Sequence, residues 1–282
     1  MPTLRAFAVL VIFVFSTLLL VPLQYVSLRL KLKMRRAIPN KFNRYLCWLF
    51  GIRISVIGTP IQDRGVLMIA NHTSYFDILI LGATARVSFV AKSEVASWPF
   101  FGMMSRLQES IFVERARRSR AGVARDELRE RLRDGDALAL FPEGTSTDGN
   151  RVIAFKSALL GSVEAPLGTD ACGHPHYVPV QPISISYVGI HGMPMGRENR
   201  PLYAWYGDME LLPHLWEALK AGPLDVVVEF HPPLSVDKAG GRKKIAALAE
   251  AMVRRGQRLA LAGMRSAPVP AQHSETTAEA AL

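Results

Sequence analysis

Cysteine is nearly absent from this chain of 282 residues, since only Cys47 and Cys172 occur, far apart in sequence. Two such residues do not make a disulfide framework, and they are compatible with a reducing compartment. No internal repeat is visible. The length is enough for one large core, with or without a small accessory domain.

Acidic residues are also scarce, with 24 aspartates and glutamates against 34 lysines and arginines, a net charge of +10 and a pI near 9.9. Such a balance favours a polyanionic partner: nucleic acid, anionic lipid or a phosphorylated substrate. However, hydrophobic residues make up 49% of the chain, and no zinc-finger or RNP-like pattern occurs. We therefore predict a membrane surface as partner and no nucleic acid.

Residues 6–23 form an uncharged run, AFAVLVIFVFSTLLLVPL, which is long enough to anchor the chain in a membrane. The alternative is a cleaved signal peptide, but the residues after the run lack an A-x-A-like cleavage site. Whether the anchor spans the membrane or only dips into it stays open. We assign residues 1–51 to a membrane anchor followed by an interfacial helix; for residues 40–51 a core helix is nearly as well supported.

A basic stretch without any acidic residue before Asp63 follows the anchor; its members are Arg29, Lys31, Lys33, Arg35, Arg36, Lys41 and Arg44. By the positive-inside rule, this charge places the following residues on the cytoplasmic side. The expected location is a bacterial inner membrane, with the catalytic domain facing the cytoplasm.

Short β-type runs alternate with helical patterns from Ile52 onward, which predicts an α/β fold with a central mixed sheet flanked by helices. The predicted strands are 52–57, 65–70, 86–91, 110–113, 137–141, 178–187 and 225–230, and the predicted helices include 75–82, 118–133 and 156–164. Segments 169–176 and 189–201 are predicted loops. Residues 52–265 would form the catalytic domain, and the small, polar tail 266–282 would lack stable structure.

His72 and Asp77 lie in the segment Asn71-His72-Thr73-Ser74-Tyr75-Phe76-Asp77. Histidine commonly removes protons near neutral pH, and a nearby aspartate can fix its tautomer and stabilise the imidazolium. Residues five apart lie about 140° apart around a continuous helix. We therefore predict that His72 follows a buried strand and that a helix begins near Ser74, which brings Asp77 back toward the imidazole.

The start of this helix should also offer backbone N–H groups to negative charge on a substrate or an oxyanion. The alternative is that these polar residues only cap a helix.

A second polar motif, Phe141-Pro142-Glu143-Gly144-Thr145, follows an apolar run. Its polar residues should emerge at the end of a buried strand, where α/β proteins commonly bind ligands, and Glu143 could orient substrate hydroxyls. An ordinary strand-ending turn is the alternative. A P-loop is excluded, because Asn150-Arg151 stands where a lysine and a serine or threonine are required.

Together these motifs resemble the lysophospholipid and glycerolipid acyltransferase family, typified by 1-acyl-glycerol-3-phosphate acyltransferase. The resemblance covers residues 52–187 in the family's order. Its four blocks are Asn71-His72-x-Ser74-x-x-Asp77, Phe112-x-x-Arg115, Phe141-Pro142-Glu143-Gly144-Thr145 and an apolar strand containing proline at 178–185.

The resemblance implies transfer of an acyl group from acyl-CoA or acyl carrier protein to the free hydroxyl of a membrane lysolipid, without a metal or redox cofactor. His72 would take the hydroxyl proton and Asp77 would support it. Arg115 suits a phosphate or carboxylate head group, for which a surface salt bridge is the alternative. Gly144 and Thr145 would join Glu143 in binding substrate, and Lys156 corresponds to a basic position after the third block.

Many members that form phosphatidic acid continue the third block with arginine, whereas Ser146-Thr147-Asp148 follows here. We expect 1-acyl-sn-glycerol-3-phosphate as the acceptor. The alternative is lyso-ornithine lipid, since the runs 205–209 and 231–233 resemble members that acylate it. A lipid-binding or scaffolding protein without activity is the other class, but it would have no use for His72 and Asp77.

Overall fold

The computed structural model describes residues 2–114, 118–169 and 173–264, with the backbone alone at 118–121. Arg115, Cys172 and the tail 266–282, about which the sequence makes predictions, lie outside the described residues. Those predictions therefore rest on the sequence.

Eight α-helices and ten β-strands are found in the described residues. The helices are α1 (Pro2–Arg29), α2 (Ala37–Phe50), α3 (Phe76–Thr84), α4 (Phe101–Leu107), α5 (Arg118–Arg133), α6 (Leu211–Ala221), α7 (Val236–Ala239) and α8 (Arg242–Leu261). The strands are β1 (Ile52–Ile57), β2 (Val66–Ala70), β3 (Ser88–Lys92), β4 (Ile111–Val113), β5 (Ala137–Leu140), β6 (Gly168–Thr169), β7 (Pro175–His176), β8 (Val180–Ile190), β9 (Met193–Pro194) and β10 (Leu224–Phe230). Short 3₁₀ turns occupy Lys33–Arg35, Ser93–Ser97, Leu159–Val163 and Arg200–Leu202.

The main sheet has the strand order β1-β10-β8-β2-β5-β3-β4, and β9 pairs with β8. Strand β10 runs antiparallel to β8, whereas β2 pairs in parallel with both β5 and β8. Strands β6 and β7 form a separate hairpin. The predicted mixed sheet with flanking helices is confirmed.

Strand β2 shows why the sheet lies at the centre, since all five of its residues are buried. Alternate side chains point to opposite faces of a strand. Val66, Met68 and Ala70 join one hydrophobic core with residues of α1, α2, α3 and α6. Leu67 and Ile69 join a second core with residues of α5 and α8. The sheet is therefore covered by helices on both faces.

Helix α1 contains the predicted apolar run and extends beyond it at both ends. Among the described residues, it is the one helix that is long and apolar enough to cross a membrane. It does not stand apart from the rest of the chain. Ala6, Val9 and Phe13 are buried in the first core, and near its far end Gln24 donates to the carbonyls of Arg35 and Leu107. The opposite side of α1 exposes large apolar residues.

Helix α2 covers the segment for which an interfacial helix and a core helix were nearly equal predictions. One face is buried against α3, with Phe42, Leu46 and Phe50 in the first core. Trp48 on the other face is 75% exposed. The helix therefore has a core face and an exposed aromatic residue.

Three predicted segments differ from the structure. The predicted helix 156–164 is only a 3₁₀ turn at Leu159–Val163, and Gly161 at its centre has low helix propensity. Strand β8 continues to Ile190 and turns back into β9, so part of the predicted loop 189–201 is paired. Within the predicted loop 169–176, Thr169 lies in β6, and Pro175 and His176 form β7.

The contact between α2 and α3 depends on Gly82 having no side chain. A Cβ atom built there would overlap the amide of Asn43, which is itself buried. In contrast, a Cβ atom at Gly122 in α5 would meet only the far end of Arg125. We expect Gly82→Ala to lower the free energy of unfolding by about 1–3 kcal/mol through overpacking.

The matched change Gly122→Ala should raise this free energy by about 0.5–1 kcal/mol, because alanine is the better helix former. Denaturant unfolding in a mild detergent measures both effects. Equal changes in the two variants would contradict the predicted overlap.

Candidate active site

Two motifs that are 71 residues apart meet at one edge of the sheet, because β2 and β5 are adjacent and parallel. Ile69 pairs with Leu140, so the residues that follow each strand leave the sheet side by side. His72 follows β2, and Glu143 follows β5. Each motif lies at the carboxyl end of a buried strand, as the sequence predicts.

His72 and Asp77 are in direct contact, with 2.9 Å between Nδ1 of His72 and Oδ2 of Asp77. The same Oδ2 accepts the backbone N–H groups of Thr73 at 2.7 Å and Ser74 at 2.9 Å. Oδ1 accepts the hydroxyl of Tyr187 at 2.8 Å. Because Nδ1 of the neutral imidazole donates to the carboxylate, Nε2 is left as the proton acceptor.

The helix start differs from the prediction in two respects. Helix α3 begins at Phe76, so its N-cap is Tyr75, one residue after the predicted Ser74, and Asp77 lies in its first turn as predicted. Backbone N–H groups at the helix start were expected to face negative charge on a substrate, but those of Thr73 and Ser74, just before the helix, donate to Asp77. The carboxylate therefore takes those donors, because it is fully buried and needs hydrogen bonds there.

Both backbone polar groups of His72 bond to the loop after β5. Its N–H donates to Oε1 of Glu143 at 3.3 Å, and its carbonyl accepts the N–H of Thr147 at 3.0 Å. The ring of His72 stacks on Phe141, with 4.2 Å between the ring centroids. The second motif thus fixes the position and the orientation of the histidine.

Glu143 is buried behind the histidine, and the cavity described below is not lined by its side chain. Burial raises the pKa of Glu143 from an ordinary value of 4.5 to about 8, and the charge of Asp77 acts in the same direction, whereas the N–H of His72 lowers the pKa. At neutral pH the uncharged form is thus favoured. In this position Glu143 supports the backbone of His72, while its predicted contact with substrate stays a prediction.

A cavity of about 340 Å³ opens beside His72, whose side chain is 21% exposed. Its walls are largely apolar and aromatic; they include Phe13, Phe50, Phe89, Trp98, Phe101 and Trp205. Phe13 belongs to α1, so the apolar N-terminal helix forms part of the wall. A cavity of this composition suits a hydrocarbon chain next to a proton acceptor.

The remaining predicted site residues fall in different places. Gly144 and Thr145 line the cavity, as the sequence led us to expect of substrate-binding residues. Lys156 is exposed and is not among the lining residues, although its backbone N–H donates to Pro142. Arg115 lies outside the described residues. The roles of Lys156 and Arg115 stay predictions.

Sequence reasoning missed Tyr187 and Trp205. Tyr187 lies in β8 and reaches Asp77 across the sheet, and the long separation in sequence gives no local signal for this pairing. The sequence assigned Trp205 no role of its own in the site, but Trp205 lines the cavity, and its backbone N–H donates to the carbonyl of Thr73. The aromatic pair Trp205-Tyr206 was the available signal, since both residues line the cavity.

A second histidine lies beside an acid, but elsewhere. His231 contacts the hydroxyl of Ser184 at 2.7 Å and Glu229 at 3.5 Å, and Gly256 of α8 packs directly on this group. All three side chains are buried, and none lines the cavity. Of these two histidines, only His72 can meet a substrate in the cavity.

Comparison with known proteins agrees with this geometry. The fold matches the crystal structure of the 1-acyl-sn-glycerophosphate acyltransferase PlsC from Thermotoga maritima, with a TM-score of 0.63, 24% identity, and coverage of 92% of this chain and 97% of that one. At this identity the likeness shows the fold alone. A sequence model of the Acyltransferase family matches residues 53–186.

Several curated relatives carry acyltransferase names. A lyso-ornithine lipid O-acyltransferase of Brucella abortus is 45% identical over 261 residues, which are 93% of this chain and 97% of the relative. Another from Rhizobium meliloti is 44% identical, over 86% and 82% of the two chains. A 1-acyl-sn-glycerol-3-phosphate acyltransferase of Neisseria gonorrhoeae is 31% identical, over 61% of each chain.

The fold and the site thus define an acyltransferase. The chain belongs to the acyltransferase family, and the alternative of a scaffolding protein without activity does not hold.

We expect His72→Ala to lower acyl transfer by about 10²–10⁴-fold, because the proton acceptor is lost while little core volume changes. Initial rates with a lysolipid and an acyl-CoA measure the loss. The exposed His176, outside the cavity, supplies the control His176→Ala, which should keep its rate. An unchanged rate in a folded His72→Ala protein would reject the base assignment.

The raised pKa of Glu143 has a consequence for stability. Between about pH 4.5 and about pH 8 the folded chain retains a proton that the unfolded chain releases, so the contribution of Glu143 to stability falls as pH rises, by ~1.4 kcal/mol per pH unit at most. Glu143→Gln should flatten this dependence. Denaturant unfolding at several pH values measures it, with the exposed Glu198→Gln as control. Parallel profiles for all three proteins would contradict the role of burial.

Proposed function

We propose that the protein transfers a fatty acyl group from acyl-CoA or acyl carrier protein to the free hydroxyl of a lysolipid in the membrane, and that lyso-ornithine lipid is the acceptor. The observation that carries the acceptor is the 45% identity to the Brucella abortus enzyme over 93% of this chain. The likeness extends over 97% of the relative's own length.

In the proposed reaction, Nε2 of His72 removes the proton of the acceptor hydroxyl while the Asp77 carboxylate stabilises the imidazolium. The hydroxyl oxygen then bonds to the thioester carbonyl carbon, the carbon–sulfur bond breaks, and the leaving thiolate takes up a proton. No acyl-enzyme forms. Cys47 is no alternative nucleophile, because burial raises the pKa of its thiol to about 12. The steps use neither a metal nor a redox cofactor.

The charges around the cavity support an amino-acid head group. Two of the described residues that line the cavity have lysine, arginine, aspartate or glutamate side chains, and these are Lys92 and Glu94. An ornithine head group carries both a carboxylate and an ammonium group, so each would find a residue of opposite charge. A phosphomonoester would be attracted by Lys92 but repelled by Glu94, so it would use only one of the two charges.

The second candidate acceptor is 1-acyl-sn-glycerol-3-phosphate, which the sequence motifs favoured. It is supported by the 31% identity to the Neisseria gonorrhoeae enzyme, although that likeness extends over only 61% of each chain. A phosphate contact from Arg115 would strengthen this candidate. We rank it second because the likeness to the lyso-ornithine enzymes is both higher and longer.

For the location we propose a bacterial inner membrane, with the site on the cytoplasmic side. The apolar exposed side of α1 would contact lipid, and the basic stretch after α1 would remain on the cytoplasmic side. Both acyl donors are cytoplasmic molecules, so the cavity would receive them there.

The acceptor is tested by offering the purified protein both lysolipids with both donors and identifying the products by mass. We expect diacylated ornithine lipid, with kcat/KM about tenfold or more above that for 1-acyl-sn-glycerol-3-phosphate. Glu94→Gln should raise KM for lyso-ornithine lipid and leave or lower KM for the phosphate acceptor. The control Glu210→Gln changes an exposed acid outside the cavity and should alter neither. Exclusive formation of phosphatidic acid would overturn the assignment.

A further inference from the structure

A second cavity, of about 350 Å³, lies at the edge of the sheet opposite to the active site. Its lining includes Ser88 and Ala137, which begin β3 and β5, and residues of the segment between α1 and α2. The length of β2 separates the two edges, about 16 Å at ~3.3 Å per residue. The cavity is therefore distinct from the pocket that contains His72. We call it the basic cavity.

The basic cavity has more cationic than anionic side chains. The cations are Lys31, Lys33, Arg35, Arg36 and Arg86, and the anions are Asp63, Glu109 and Asp136. Arg35 pairs with Glu109 at 3.6 Å, and Arg36 pairs with Asp136, which also pairs with Arg131. In the described part of the chain, Lys31, Lys33 and Arg86 form no salt bridge. Among the described lining residues, an anion entering the cavity would therefore find three cations without a salt bridge against one such acid, Asp63, and so a net positive charge.

The backbone around the basic cavity is strained. Lys31, Asp63 and Glu109 have φ values of 50°, 61° and 55°, in the left-handed region that residues other than glycine rarely adopt. They are three of the five non-glycine residues with positive φ in the described chain. Such conformations cost free energy and tend to cluster at functional sites. Here they accompany the charged rim of one cavity.

The rim also carries apolar side chains that face solvent. Leu30, Leu32 and Met34 are 65%, 39% and 42% exposed; Leu32 lines the cavity together with Lys31 and Lys33, and Leu30 and Met34 flank this run in sequence. This segment directly follows α1, whose exposed side is apolar. Apolar residues that enter the hydrocarbon beside basic residues at the head-group level form the usual surface for anionic lipid.

We infer that the basic cavity binds the phosphate of an anionic phospholipid, whose acyl chains lie against Leu30, Leu32 and Met34. This lipid is neither the acyl acceptor nor the product, because its site is at the other edge of the sheet. It would hold the end of α1 at a fixed depth next to the catalytic body. The shared chemistry is a phosphate group, and the apolar rim selects a lipid over a soluble phosphate.

The test measures lipid binding by the full chain in a neutral detergent, through the midpoint of thermal unfolding. The probes are dihexanoyl phosphatidylglycerol, dihexanoyl phosphatidylcholine and glycerol phosphate. We expect a saturable stabilisation by phosphatidylglycerol only. Equal effects of phosphatidylcholine would remove the requirement for net negative charge and overturn the inference. An equal affinity for glycerol phosphate would show a site for soluble phosphate and overturn the assignment to lipid.

Two matched pairs of variants locate the site. The double variant Lys31→Gln/Lys33→Gln should weaken binding about fivefold for each charge removed. Its control is the double variant Arg29→Gln/Lys41→Gln, which removes the same charge from the same basic stretch but outside the cavity. Arg86→Gln should likewise weaken binding, and Arg64→Gln, an exposed arginine outside the cavity, should not.

Equal losses within each pair would mean that diffuse surface charge binds the lipid, and this would overturn the inference. Because the readout is lipid binding and not acyl transfer, the result is independent of the proposed acceptor.

Discussion

The fully buried carboxylate of Asp77 is the group on which the site depends. A carboxylate away from water is costly unless it accepts hydrogen bonds, and Asp77 accepts them from His72, Thr73, Ser74 and Tyr187. These donors come from the turn after β2 and from β8, so one side chain ties the first motif to the neighbouring strand. The orientation of the imidazole is therefore a property of the folded sheet as well as of the local turn.

The loop after β5, which begins with the second motif, also fixes the position of His72. Glu143 and Thr147 bond to the N–H and the carbonyl of His72, while Phe141 stacks on its ring. Since β2 and β5 are adjacent and parallel, the two loops leave the sheet together, and each limits the movement of the other. The aromatic wall of the cavity then begins at the histidine itself, so that a long apolar chain and the reacting hydroxyl can be held in one place.

The parts of the fold that depend on local pattern could be predicted from the sequence. Strand β1 and helix α5 have the predicted bounds, and the approach of His72 to Asp77 followed from strand, turn and helix periodicity. Contacts between distant segments could not be predicted. The role of Tyr187 and the position of Glu143 behind the histidine depend on strand order, which a single sequence does not encode locally. Backbone N–H groups at the helix start were expected to meet substrate because the burial of Asp77, which takes the donors of Thr73 and Ser74, was not visible in the sequence.

The packing of α1 has a further meaning for how this enzyme can be studied. Phe13 is both a residue of the apolar N-terminal helix and part of the wall beside the histidine. Under the proposed function, one element would serve both membrane attachment and enclosure of the substrate. A shortened protein made to dissolve in water would have a gap in that wall, and Phe50 and Phe100, whose rings contact Phe13 edge-on, would lose a partner. Preferences for acyl-chain length measured on such a fragment would reflect a cavity with an incomplete wall.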